Sequence, residues 1–123
     1  MFYEADYEIQ NIVKDIVTKL NLDYINTEKI LCIRSHGSKS KRIIARIHGL
    51  SKIMQIAMNI KAFYAIELIS ENFDKLGHEE KIKTLIHEIM HIPRSFGGGF
   101  RGHRNFVTRK KVEDAFKGYM NRT

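Results

Sequence analysis

Cysteine and proline occur once each in this chain of 123 residues. The lone thiol, Cys32, excludes an internal disulfide and any metal site built from several cysteines of one chain. Its neighbours Ile30, Leu31 and Ile33 are apolar, which marks a buried structural thiol rather than a nucleophile and fits a reducing cytosol. No apolar run approaches the roughly 20 residues that a membrane-spanning helix needs. The opening MFYEADYEIQ carries acid where a secretory leader carries base. A cytoplasmic protein with no membrane partner is therefore expected. Repeats, low-complexity tracts and linkers are missing too, and this length supports one core but not two. A single domain over residues 1–123 follows.

Acidic residues are in the minority, and the net charge of +7 is unevenly placed. From Arg94 to Thr123 eight Lys or Arg face two acids, and Lys39–Lys52 holds five basic residues and no acid. Such clustering is the electrostatic footprint of a DNA or RNA partner, or simply a solvated surface. No stacking platform and no familiar DNA-reading motif accompanies it.

Hydrophobic spacing divides the chain into elements. Ile9, Ile12, Val13, Ile16, Val17 and Leu20 fall on one stripe of a helix over 5–20. Asn21 and Asn26 mark a turning loop. ILCIR (30–34) and RIIARIH (42–48) read as strands joined by the polar turn SHGSKSK, which predicts a hairpin. SKIMQIAMN (51–59) predicts a short helix, and KAFYAIELIS (61–70) a strand covered on both faces. A helix over 78–92 follows, with Glu79 and Glu80 in its first turn and Pro93 ending it. Thr108 caps a last helix with Val112, Ala115, Phe116, Tyr119 and Met120 on its apolar side. The order α-β-β-α-β-α-loop-α predicts an α+β fold with a small mixed sheet.

The chemistry concentrates in LIHEIMHIPRSFGGGFRGH, residues 85–103. HEIMH has the form H-E-x-x-H, so His87 and His91 lie one helical turn apart and can aim two imidazole nitrogens at one ion. Glu88 is turned about 100° from His87, towards a water on such an ion rather than towards the ion itself. Thr84 extends this polar strip into the apolar side of the helix, which places it in a cleft. A catalytic zinc site usually takes three protein ligands and one open position. His103 is the favoured third, since Gly97-Gly98-Gly99 frees the backbone to bring it back. Glu113 on the last helix is the rival, although Lys110, Lys111 and Lys117 around it favour a salt bridge instead. His36, His48 and His78 read as ordinary surface or capping residues.

The stretch TLIHEIMHIPRSFGGGFRGH resembles the signature of the phage-type metallopeptidase family, small H-E-x-x-H proteins of viruses and prokaryotic genomes. ARIHGLSKI and FYAIELISENFDKL upstream are similar to that family's lead-in, so the likeness spans roughly residues 42 to 106. More distantly the chain resembles the SprT-like zincins. The resemblance implies a minimal zincin fold, metal ligands His87, His91 and His103, and a catalytic Glu88. It also implies a sheet edge across the cleft from the active helix.

The expected activity is thus a zinc-dependent peptidase in which Glu88 is general base for metal-activated water. Other divalent transition metals suit the same donors. The substrate is a protein or peptide, which could pair with strand 62–69 if that strand is the sheet edge. Arg94, Arg101, Arg104 and Tyr64 are candidates to steady the oxyanion. The alternatives are a metal-dependent ribonuclease, and a non-catalytic nucleic-acid-binding module with a structural metal.

Overall fold

In the computed structural model, which describes residues 1–122, three helices start on a side-chain cap. Asp6 accepts the Ile9 amide to open α1 (Tyr7–Lys19), Ser51 accepts that of Met54 to open α2 (Lys52–Met58), and Thr108 accepts that of Lys111 to open α5 (Arg109–Met120). Each cap satisfies an amide that has no partner within its helix. α3 (Ser70–Phe73) is a single turn, and α4 (His78–Met90) starts after Gly77 with Glu79 and Glu80 in its first turn. The expected stripe of α1 is inward: Ile9, Val13, Ile16 and Val17 are buried. Asn21 adopts a left-handed φ of 54°, and Asn26 accepts the Glu28 amide to start a 3-10 turn at Thr27–Lys29.

The strands are β1 (Phe2–Ala5), β2 (Ile30–His36), β3 (Ala45–Gly49) and β4 (Tyr64–Ile69). They form a four-stranded mixed sheet in the order β1-β2-β4-β3, so the α+β class holds. Two expectations fail here. The hairpin between residues 30–34 and 42–48 does not form, because β4 lies between β2 and β3, parallel to the first and antiparallel to the second. Nor does the strand at 62–69 meet the condition set for substrate pairing, since it is central and the edges are β1 and β3. The physical reason lies in β4, whose Tyr64, Ile66, Leu68 and Ile69 are all buried. A strand this apolar is most stable with both edges paired and both faces covered. The polar segment after β2 is held as a crossover, not a tight turn. Gly37 donates its amide to Glu71, and the Asn72 side-chain amide donates to the carbonyls of Ser40 and Ile43. β1, which no periodicity announced, pairs antiparallel with β2 from Phe2 opposite His36 to Ala5 opposite Ile33.

Tyr64, Ile66 and Leu68 project from one face of the sheet into a core shared with α1, α4 and α5. Burying each large apolar side chain there stabilises the fold by about 1.5–3 kcal/mol. Cys32 is fully buried in that core, and burial pushes its thiol up to about 12, which keeps it unreactive as expected. α2 is the exception among the helices. It buries only Gln55 and leaves Ile53 and Ile56 facing solvent.

On the opposite face, Ile33, Glu67 and Arg46 stand side by side across β2, β4 and β3. Glu67 is 6% exposed and accepts from Arg46 through Nε at 2.9 Å and Nη2 at 3.3 Å, and from His48 Nε2 at 2.8 Å. These bonds, that from Arg46 foremost, hold the carboxyl at about 2 against the opposing effect of burial. They also stitch the edge strand β3 to the centre of the sheet.

Because its folded pKa lies below the unfolded value of 4.5, Glu67 contributes stability that is complete above pH 4.5 and disappears as pH falls towards 2. In urea unfolding monitored by circular dichroism, Glu67→Gln should lower the midpoint at neutral pH. It should also flatten the loss of stability that the unsubstituted chain shows between about pH 5 and pH 2.

Candidate metal centre

α4 ends where its chemistry begins. His87 sits in its last turn, and His91 is its C-cap, with Pro93 two residues beyond. Ile82, Leu85, Ile86 and Ile89 fasten the same helix to the core. The polar strip of Thr84, His87, Glu88 and His91 therefore stays at fixed positions. Thr84 Oγ1 donates back to the Glu80 carbonyl at 2.8 Å, and Thr84, His87 and Glu88 line one cleft.

His103 returns to this strip from the far side of the glycine run. Its Nε2 lies 3.1 Å from that of His87, and His87 Nε2 lies 3.3 Å from that of His91. Among the described residues, these three histidines bring one ligand atom each within 4.8 Å of one another. Tetrahedral bonds of the usual zinc–nitrogen length put nitrogens about 3.3 Å apart. The donor set thus fits a divalent transition metal, with a fourth position left for a non-protein ligand.

Tautomer and charge agree with that fit. His91 Nδ1 is 2.8 Å from the Arg101 carbonyl, which only accepts, so Nδ1 bears the proton and Nε2 offers its lone pair to the centre. Burial, and then repulsion from His91 and His103, lowers the pKa of His87 and favours the neutral form a metal requires. Glu88 is 7% exposed, and burial pushes its carboxyl up to about 7.

The loop that delivers His103 is fastened at several points. Gly98 has a φ of +100°, and a Cβ there would lie 2.2 Å from the Leu50 carbonyl oxygen. A Cβ on Gly49, at the end of β3, would lie 2.2 Å from the Gly98 carbonyl oxygen. Glycine at both positions lets the loop backbone run directly against the end of β3. The Tyr64 hydroxyl accepts the Gly98 amide at 2.8 Å and donates to the Gly99 carbonyl at 2.7 Å. Gln55 Nε2 donates to the carbonyls of Leu50 and Gly97 at 2.8 and 2.9 Å, which explains why α2 buries this one residue. The Arg101 amide donates to the His91 carbonyl at 2.8 Å, so loop and helix end are bonded in both directions.

The other candidates fall elsewhere. Glu113 lines the cleft but pairs with Lys83 at 3.1 Å, so it does form a salt bridge, with a different partner from Lys110, Lys111 or Lys117. Tyr64 and Arg101, considered as oxyanion donors, serve the loop: Arg101 donates to the Met90 carbonyl and the Tyr24 hydroxyl, both at 2.9 Å. Arg94 lies over the Tyr24 ring. His36 pairs with Glu4, and His48 with Glu67. Residue-by-residue reading missed Gln55, Gly49 and the anchoring role of Tyr64. Gln55 and Gly97 are 42 positions apart, beyond any local pattern.

A family model described as "Putative phage metallopeptidase" matches residues 1–122. The chain belongs to that family. The match extends the likeness seen in the motif region across nearly the whole of this metallopeptidase family member, β1 and α5 included. Comparison with curated proteins and with solved structures gives no match.

If the hydroxyl of Tyr64 holds the loop in place for His103, Tyr64→Phe should weaken metal binding by about 10–100-fold. Competition against a chromophoric chelator would measure this, with circular dichroism confirming that the fold is retained. Unaltered affinity would show that the remaining anchors suffice.

Proposed function

We propose that this metallopeptidase family member is a zinc-dependent peptidase in which His87, His91 and His103 hold the ion and Glu88 is the general base. The observation that carries this reading is the convergence of three imidazole nitrogens beside a buried carboxyl that is not among them. Three nitrogens leave a coordination position free, as a catalytic site needs and a closed structural site does not have. When bound, zinc supplies Lewis acidity, lowering the pKa of a coordinated water to about 7 and polarising the peptide carbonyl.

Glu88 accepts the proton of the attacking water and returns it to the leaving amine. Burial raises the pKa of its carboxyl and an adjacent cation lowers it, and this balance suits a group that takes up and releases a proton near neutrality. His91, oriented by the Arg101 carbonyl, presents Nε2, and the anchored loop presents His103. An extended peptide adds to the unpaired edge of β3, whose Ala45 borders the same cleft as His87 and Glu88. Main-chain pairing there sets the position of the scissile bond and reads little side-chain identity.

Imidazole donors suit zinc, though manganese, iron, cobalt or nickel can take such a site. The core cluster is continuous from Ile9 to Tyr119, which supports reading residues 1–123 as one domain. No helix among the described residues is long and apolar enough to cross a membrane, and the single buried cysteine favours the cytoplasm.

Glu88→Gln separates chemistry from metal binding. It should retain zinc at unchanged stoichiometry and lose at least about 100-fold in the rate of cleaving an internally quenched peptide. Retained activity in the zinc-loaded variant would refute Glu88 as the base.

A further inference from the structure

The cleft beside the candidate metal centre is larger than a metal and a water require. It encloses about 690 Å³ and runs from His87, Glu88 and His103 along the N-terminal half of α4, between the start of β3 and the start of α5. Ile44, Val107 and Val112 give it apolar walls.

Its charged groups are unequally engaged. Glu113 and Glu80 both face Lys83, whose Nζ lies 3.1 and 3.5 Å from them, so these carboxylates and this ammonium satisfy one another. Arg42, just before β3, and Arg109, the first residue of α5, line the same cavity from separate elements. Both are exposed, and among the described residues neither guanidinium has a hydrogen-bond or ion-pair partner. Two unengaged guanidinium groups lining one partly apolar cavity offer donors to a planar anion. Arginine offers paired N–H donors in the geometry of a carboxylate.

We infer that Arg42 and Arg109 form a carboxylate subsite, and that the protein selects peptides carrying an acidic group near the scissile bond. This rests on the peptidase reading and narrows its substrate class. The cavity lies at the Ala45 end of β3, so a peptide aligned on that strand sends residues from one side of its scissile bond past both arginines. The anion comes either from an Asp or Glu side chain or from the carboxylate at the end of the substrate chain.

The test uses the zinc-loaded protein and a set of internally quenched peptides. Glu replaces Gln at each position around the cleaved bond, with the C-terminus either free or amidated. At one position Glu should raise kcat/KM about tenfold over Gln, or a free C-terminus should do so over the amide, and these two arms identify the source. The preference should shrink with added salt. The Arg42→Gln/Arg109→Gln double variant should bring the ratio close to one, with zinc content and circular dichroism unaltered. Fluorescence anisotropy with zinc-loaded Glu88→Gln measures binding of the same peptide pairs without turnover.

Cleavage with no charge preference, or a preference that survives in the double variant, overturns the subsite and leaves the peptidase reading standing. Absence of cleavage, with arginine-dependent binding of the acidic peptide, refutes the peptidase reading and keeps the subsite. If acidic and neutral peptides bind alike, or if only a single-stranded oligonucleotide binds through these arginines, the carboxylate assignment is wrong.

Discussion

The close approach of two backbones, the end of β3 and the loop at Gly98, is the constraint on which the candidate centre depends. A side chain at Gly49 or Gly98 would collide with a carbonyl oxygen of the opposite segment at 2.2 Å. With glycine at both places, the loop lies low enough for the Tyr64 hydroxyl and the Gln55 amide to bond its main chain. Only then does the chain from Gly99 onward emerge in position to return His103 to α4. The glycine run is an anchored connector here rather than slack, and its polar groups are satisfied from β4 and α2.

Helical spacing carried most of what could be read beforehand. A pattern that repeats every three or four residues reports the face a helix buries, so α1, α4 and α5 were legible, together with the cap at Thr108. The pair His87 and His91 was legible for the same reason, since one turn suffices to align them. His103 was legible as a residue type at the end of a flexible run, but the bonds that place it were not. Strand order was the real failure. SHGSKSK looks like a turn, yet what decides the topology is the buried character of β4, almost thirty positions further on. Alternation along a strand says which residues share a face and nothing about which strand lies next to it.

Electrostatics follows the same division between near and far. The surplus of basic residues was plain in the sequence, whereas its distribution in space was not. Arg46 is consumed by Glu67 from the neighbouring strand, and Lys83 by Glu113 from the next helix. Arg42 and Arg109, distant in sequence and unremarkable in composition, meet at one cavity. What distinguishes them is that the carboxylates of that cavity, Glu80 and Glu113, pair with Lys83 instead, and that can be judged only after the ion pairs have been placed.

The order of strands in space also bears on how the chain assembles as it is synthesised. β2 and β3 are both complete by residue 49, but neither can bond the other, because the strand that joins them ends at Ile69. Until then the edges of β2 and β3 that β4 will pair stay bare, because β1 docks on the other edge of β2. Completing the sheet waits for a segment that arrives late and contacts partners far back in the chain, a pattern that slows folding and leaves edges open to mispairing. The excess of lysine and arginine along residues 39–52, with no acid among them, gives that waiting stretch the mutual repulsion that keeps emerging chains apart.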